Sequence, residues 1–135
     1  MRSIITDSVV LPAPADRLFA MYLDPAQHAA FTGHPVAIGA RPGAMFEAFG
    51  GQLTGQILHV VELQLIVQSW RSTQFRDEDR DSTLILTFTP EGEHGRIELV
   101  HLDVPDHDFD GVNEGWRKFY WSPWRDALLK ERRSE

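Results

Sequence analysis

Two ionisable side chains near the C-terminus have the spacing of a general base and its orienting carboxylate. His101 and Asp103 are two residues apart in a run that reads as a β-strand, so both side chains are expected on one face. A histidine held by a carboxylate can abstract a proton near neutral pH, as in enzymes of the cyclase or lyase kind, with Tyr120 as hydrogen-bond donor. The alternative is a structural histidine at the edge of the core. Because no nucleophile accompanies the pair, no catalytic residue is assigned, and His101 and Tyr120 stay outside candidates.

The segment from Asp106 to Gly111 matches the opening of a calcium loop, with the pattern D-x-D-x-D-G. A calcium loop needs a bidentate glutamate at its twelfth position, where this chain has Arg117, and it needs a helix before it. The segment is therefore interpreted as an acidic loop that caps the following helix through Asp110 or Asn113. The other histidines show no metal spacing, and the chain has no cysteine. No metal and no cofactor are predicted.

Aromatic side chains suggest a binding chemistry instead. Trp70, Trp116, Phe119 and Tyr120 are of the types that stack against a flat ligand, although plain core packing uses the same residues. Gln68 favours the ligand, because an amide among apolar strand neighbours must find a hydrogen-bond partner. Trp121 and Trp124 would point away from this group and are interpreted as contacts to a partner or as packing at a kink.

Composition limits the classes of protein that these residues can serve. The chain has 135 residues, enough for one domain with a sizeable core, and residues 1–135 are taken as that domain. Its net charge of -7, without clustered Lys and Arg, argues against nucleic acid as a partner. The first residues show neither a charged and apolar leader nor a long apolar run, so no membrane association is predicted. A cytoplasmic location is the default expectation.

The elements that must position these residues follow from periodicity and turn signals. A first strand is predicted from Ser3 to Leu11, followed by two short helices, of which the second is capped by Asp24 and ends near Phe31. A long helix is predicted from Asn113 to Lys130, with a kink at Pro123. Short turns separate six further strands, which predicts an antiparallel meander and an α+β fold. These strands are placed at Val36–Ile38, Ala44–Phe49, Leu53–Val61, Leu65–Arg71, Thr83–Thr89 and Arg96–Val104.

Side chains two apart on a strand share a face, which predicts one lined surface beneath the helix. The outward faces would still carry Leu65, Val67, Ile85, Val100 and Leu102, which is too apolar for a fully wet surface and leaves monomer or homodimer open. The predicted ligand-binding residues are Phe46, Ile66, Gln68, Trp70, Leu84, Leu86, Phe88, Leu99, His101, Trp116, Phe119 and Tyr120.

Several short motifs, in this order, resemble one known family. They are Ala30-Phe31-Thr32, Gly43 with Phe46, Gly55, the run from Ile66 to Arg71, Thr87-Phe88, and Gly115-Trp116 with Phe119-Tyr120. The chain resembles the START-like (SRPBCC) helix-grip superfamily, specifically the activator of heat-shock protein 90 ATPase homologues. The resemblance implies a curved antiparallel sheet of six to seven strands around a long C-terminal helix, closing a cavity that often holds apolar molecules. It also implies a chaperone as a candidate partner.

The leading functional hypothesis is non-catalytic binding of a small hydrophobic or aromatic molecule between sheet and helix. A second hypothesis, implied by the resemblance, is a co-chaperone-like module acting on heat-shock protein 90 in the stress response. The third is the cyclase or lyase reaction in the same cavity. These three hypotheses differ in which residues they need, so the position of Gln68, His101 and Trp124 distinguishes them.

Overall fold

The computed structural model describes residues 2–133, with the side chain of Arg2 left out. Strand β1 is followed by helices α1 and α2, six more strands, helix α3, a π-helical segment and helix α4. The bounds are β1 Arg2–Leu11, α1 Ala15–Leu23, α2 Pro25–Thr32, β2 Val36–Ala37, β3 Met45–Ala48, β4 Leu53–Val61, β5 Leu65–Ser72, β6 Ser82–Glu91, β7 His94–Pro105, α3 Phe109–Gly115, the π-helical segment Trp116–Trp121 and α4 Ser122–Arg133. This order confirms the predicted α+β plan.

The seven strands form one sheet in the order β1-β7-β6-β5-β4-β3-β2, and every neighbouring pair is antiparallel. Strands β2 to β7 are sequential neighbours, as short hairpin connections require. Strand β1 closes the far edge by pairing with β7 along most of its length. The helices therefore pack against one face of a continuous sheet, which confirms the helix-grip arrangement implied by the resemblance.

Helix α2 begins where the sequence predicted. The Asp24 carboxylate accepts hydrogen bonds from the backbone N–H groups of Ala26 and Gln27, and Pro25 occupies the first turn. The helix ends at Gly33, whose backbone φ of 80° is the left-handed conformation favoured at such ends. These local signals hold the short helix against the C-terminal helices, where Phe31 stacks on Trp124 with ring centroids 4.2 Å apart.

The C-terminal helix differs from its prediction at both its start and its middle. It begins at Phe109, so Asp110 and Asn113 lie inside it, and neither is its cap. Pro123 has no N–H to donate to the carbonyl four residues earlier, and the turns before it, Trp116–Trp121, are π-helical. One extra residue in a helical turn rotates everything after it by about 100°. The expected irregularity at Pro123 is thus real, and it changes which side chains face the sheet.

The predicted strand parity is correct, and one strand is irregular. Ile66, Leu84 and Leu99 are each at most 1% exposed, whereas Val67 and Ile85 on the other face are half-buried. The pairing of β1 with β7 shifts between Ser3 and Ile5, which is a β-bulge at the end of β7. Asp103, in this bulge, has a φ of 61° and is exposed. His101 and Asp103 therefore do not share a face, and the prediction of a base with its orienting carboxylate is wrong.

Candidate functional site

A cavity of about 390 Å³ lies between the C-terminal helices and the neighbouring part of the sheet. Its volume falls within the range of about 300 to 1,000 Å³ that is typical of small-molecule sites. The wall is mainly apolar and aromatic, and the polar side chains on it belong to His34, Gln52, Ser72, Gln74 and Asp108. The other lining residues are Phe49, Leu53, Trp70, Gly111, Val112, Gly115, Trp116, Phe119 and Tyr120.

The helical side of the cavity is built by residue spacing. The lining residues of α3 and the π-helical segment recur at three- and four-residue steps, which places them on one stripe. Gly111 and Gly115 are part of this stripe and leave room that side chains would occupy. A Cβ atom at Gly115 would lie 3.6 Å from Phe119 Cδ2, an ordinary contact. The two glycines thus set how wide the cavity is on its helical side.

The structure brings together the aromatic group predicted from the sequence. Trp70, Trp116, Phe119 and Tyr120 all line the cavity. The Trp116 and Tyr120 rings are 4.9 Å apart, and the Trp70 and Trp116 rings are 6.2 Å apart. Phe119 is 48% exposed, so it forms the outer wall and not part of the core. This arrangement offers aromatic faces and edges to a flat molecule.

Six other predicted lining residues lie in the core and do not line the cavity. Side chains from the helix layer fill the space above them, because Phe19 of α1 packs edge-on against Phe88 with ring centroids 5.5 Å apart. The parity of the strands was right, but parity cannot show where a helix covers the sheet. These residues are Phe46, Ile66, Leu84, Leu86, Phe88 and Leu99, each at most 3% exposed.

Gln68 is fully buried and has its hydrogen-bond partner inside the protein. The Tyr22 hydroxyl donates a hydrogen bond to Gln68 Oε1. The Gln68 amide nitrogen makes a long contact of 3.5 Å to the Ser69 carbonyl. Because Tyr22 supplies the partner, the amide does not require a ligand, and Gln68 does not favour ligand binding.

His101 is fully buried, and both of its ring nitrogens are engaged. The Trp116 indole N–H donates to His101 Nδ1 at 3.2 Å, so this nitrogen carries no proton. His101 Nε2 therefore carries the proton and donates to Ser82 Oγ at 2.8 Å, while the Ser82 hydroxyl donates to the Trp70 carbonyl at 2.6 Å. Burial lowers the pKa of His101 to about 3. A proton-abstracting role would require one of these bonds to break.

A second buried histidine, His28, was not selected from the sequence as a site residue. Its Nδ1 donates to the Tyr22 carbonyl at 2.8 Å, and the Tyr120 hydroxyl donates to its Nε2 at 2.9 Å. Burial lowers the pKa of His28 to about 4 and raises the pKa of Tyr120. The hydrogen bond to the buried His28 thus fixes the position of the Tyr120 ring in the cavity wall. The apolar spacing of α2 carried no sign of this role.

Trp121 and Trp124 are not partner contacts. Trp124 is fully buried, and Trp121 is 4% exposed with its indole N–H donating to Asp7 Oδ2 at 2.9 Å. Both lie on the inner side because the π-helical segment turns them toward the core. Their burial contradicts the interpretation as partner contacts and agrees with the alternative, packing at the kink.

One polar group in the cavity wall has no partner among the described residues. Trp70 is 5% exposed, and its Nε1 is buried without a hydrogen bond. A buried donor without an acceptor costs about 1 to 3 kcal/mol. Because this nitrogen has no surface exposed to the cavity, Trp70 contributes its apolar ring to the wall.

Asp108 was considered from the sequence only as part of a calcium-like loop. In the structure, Asp106–Asp108 form a 3₁₀ turn that leads directly into α3, and the Asp108 side chain makes no capping hydrogen bond. Partial burial and the nearby Asp79 raise the pKa of Asp108, whereas His107 opposes this. Among residues 2–133 no group of three or more His, Asp or Glu side chains is placed to hold a metal ion. Asp108 is instead a charged group on the cavity wall.

Comparison with known proteins gives a family match over most of the chain. Residues 12–122 match the family described as Activator of Hsp90 ATPase homolog 1-like protein. A protein of Schizosaccharomyces pombe whose function is not described is 28% identical over 119 residues, covering 88% of this chain and 35% of its own length. A Dictyostelium discoideum protein named activator of 90 kDa heat shock protein ATPase homolog is 27% identical over 90 residues, covering 66% of this chain and 23% of its own length. The chain thus spans about a third or less of these relatives.

Solved structures share the fold. A crystal structure of an HSP90 activator from Plasmodium falciparum has a TM-score of 0.83 and 18% identity, and the alignment covers 93% of this chain and 95% of the other. A protein of Mesorhizobium loti has a TM-score of 0.81 and 16% identity, with 95% and 98% covered. At such low sequence identities, the similarity to these two structures shows a shared fold and nothing further. In the described part of the chain, no helix has the length and apolar character needed to cross a membrane.

Proposed function

Because the chain belongs to the family of activator of Hsp90 ATPase homolog 1-like proteins, whose helix-grip fold leaves space beside the C-terminal helix, we propose that it binds a small flat molecule in its aromatic-lined cavity. The observation that supports this best is the cavity of about 390 Å³ with Trp70, Trp116 and Tyr120 on its wall. Two glycines keep this space open on the helical side. Binding is the function that uses such a space. The cytoplasmic location stays a prediction.

Filling the cavity from Gly115 is expected to abolish binding without loss of fold. In Gly115→Leu the new side chain occupies the space of the ligand, and the helical backbone at this position accepts it, with φ -58° and ψ -35°. Leucine is also the better helix former by about 0.5 to 1 kcal/mol. We expect the dissociation constant of any flat aromatic compound that raises Tm to increase at least tenfold, as measured by calorimetry.

The matched control is Asn113→Leu, an exposed position of the same helix that does not line the cavity. The Asn113→Leu variant should bind the same aromatic compound with the affinity of the unchanged protein. Equal loss of binding in both variants, or no compound of a flat neutral panel that raises Tm, would overturn the proposed function.

A second candidate function is interaction with heat-shock protein 90, in the stress response that the sequence resemblance implies. It is favoured by the fold shared with the Plasmodium HSP90 activator and by the name of the Dictyostelium relative. With Trp121 and Trp124 buried, such a partner would meet exposed apolar side chains of the sheet and its β4–β5 turn, such as Met45, Leu58 and Leu63. We expect amide signals of these residues to shift when the chaperone is added. Shifts confined to the cavity, or none, would contradict this candidate, and a Leu58→Ser variant with unchanged affinity would do the same.

A further inference from the structure

The charge of the cavity wall restricts the class of molecule that it suits. Asp108 is the one Asp, Glu, Lys or Arg among the residues that line the cavity in the described part of the chain. Asp108 is partly buried at the start of α3, and its carboxylate makes no capping hydrogen bond to the helix. A fatty acid or an aromatic carboxylate would bring a second negative charge into this space, and no lysine or arginine lines the wall to meet it. Such like-charge contacts are unfavourable in a partly dry site.

The charged residues around Asp108 also disfavour an anionic ligand and favour a cationic one. The loop before β6 and the turn before α3 lie side by side, joined by a hydrogen bond of 2.8 Å between His107 Nε2 and Asp79 Oδ2. The two segments, residues 76–81 and 106–110, carry seven acidic residues against two arginines. Arg71 is already engaged by the Asp79 and Arg76 carbonyls and by Asp81. This side of the cavity therefore has a negative potential that attracts cations.

The aromatic wall is also favourable to a positive charge. Tryptophan, tyrosine and phenylalanine rings attract cations within about 6 Å of their centres. Phe119 already shows this behaviour, because Lys118 Nζ lies 5.4 Å from its ring centroid. Lys118 is not one of the lining residues, so its ammonium group does not neutralise Asp108 from within the cavity. A ligand nitrogen would meet both a carboxylate and aromatic faces.

Resting on the proposed function, we propose that the cavity selects an aromatic amine, whose protonated nitrogen pairs with Asp108 and whose ring packs against the aromatic wall. The carboxylate of Asp108 and the aromatic faces of Trp116 and Tyr120 are two separate features of one cavity. A small number of placed polar groups in an apolar site is what gives such sites their specificity. The ligand class is thus a flat, cationic molecule.

The test uses matched indoles at pH 7.5, measured by calorimetry with the full chain. The compounds are 5-methoxytryptamine, its neutral analogue 3-ethyl-5-methoxyindole and the anionic 5-methoxyindole-3-acetate. We expect the amine to bind about tenfold more tightly than the neutral compound and the acid to bind most weakly.

Two substitutions that each remove one negative charge distinguish an ion pair between the ligand and Asp108 from a general effect of the protein's negative charge. Asp108→Asn is expected to remove the tenfold advantage of the amine over the neutral indole. Asp110→Asn, an exposed position that does not line the cavity, should keep that advantage. Equal affinities for amine, neutral compound and acid, or equal effects of the two variants, would overturn the inference. The proposed function would stand if the neutral indole still bound in a Gly115-dependent manner.

Discussion

Replacing Trp124 by alanine is expected to lower the free energy of unfolding by about 3 to 5 kcal/mol, the cost of removing a large aromatic side chain from a core. Trp124 is fully buried and stacks on Phe31 of α2 at a centroid distance of 4.2 Å, so its ring joins α4 to the helix before β2. For a domain of this size such a loss is a large part of the total stability. Urea unfolding followed by circular dichroism measures it directly.

A second substitution at the same site separates packing from hydrogen bonding. Trp124 Nε1 is buried without a partner in the described residues, so Trp124→Phe removes no hydrogen bond and keeps a ring against Phe31. Its cost should be less than half that of the alanine variant. If Trp124→Ala unfolded at the same urea concentration as the unchanged protein, Trp124 would not be the core residue described above. Any loss of partner binding in Trp124→Ala would accordingly report a loss of fold.

Mild acid is expected to destabilise the protein through its two buried histidines. In the folded state burial lowers the pKa of His28 to about 4 and that of His101 to about 3, whereas in the unfolded chain a histidine titrates near its ordinary pKa of about 6.5. Below pH 6.5 the unfolded chain therefore binds protons that the folded protein does not. Stability is fully present above pH 6.5 and is lost as the pH falls toward 4.

The size of the effect follows from linkage. Each histidine contributes a slope of up to about 1.4 kcal/mol per pH unit in this window, so the pair lowers the free energy of unfolding by about 5 kcal/mol between pH 7 and 4.5. The structural reason is that the neutral ring has one nitrogen without a proton, and protonation would occur there. That nitrogen already accepts a hydrogen bond, from the Trp116 indole in His101 and from the Tyr120 hydroxyl in His28. Urea midpoints at intervals of half a pH unit give the slope.

Glutamine variants test the assignment. His28→Gln and His101→Gln are expected to be less stable at pH 7, but each should reduce the slope between pH 6 and 5 by about 1.4 kcal/mol per pH unit. His59→Gln, at an exposed strand position, is the control and should leave the slope unchanged. A slope unaffected by both core variants would show that other groups, such as carboxylates, cause the acid sensitivity.

Local signals in the sequence were sufficient for much of the fold. The Asp24 cap, the proline after it and the turn signals between strands act over a few residues, so the helices and strands they delimit could be placed within one or two positions. Strand parity likewise follows from a period of two and identified which side chains are buried. The family resemblance, confirmed by the match over residues 12–122, supplied the arrangement of the helix on the sheet.

The C-terminal helix shows where periodicity fails. Trp116 and Tyr120 were placed on the inner face correctly, but Phe119 is exposed and Trp124 is buried. The π-helical segment before Pro123 changes the phase of the helix, and a pattern analysis that assumes 3.6 residues per turn does not contain that change. The bulge at Asp103 has the same effect on a strand, because one extra residue moves a side chain to the opposite face.

The sequence by itself determined the class of the fold, the identity of the apolar faces and four aromatic residues of the cavity wall. Only the tertiary structure decided which of those faces is covered and which borders a space. Phe88 and Leu99 are as apolar as any cavity residue, but helix α1 and the rest of the core cover them. Asp108, Gly115 and Trp70 border the space because a helix and a sheet end meet there without filling it. That difference depends on contacts between segments far apart in the chain, which local pattern does not encode.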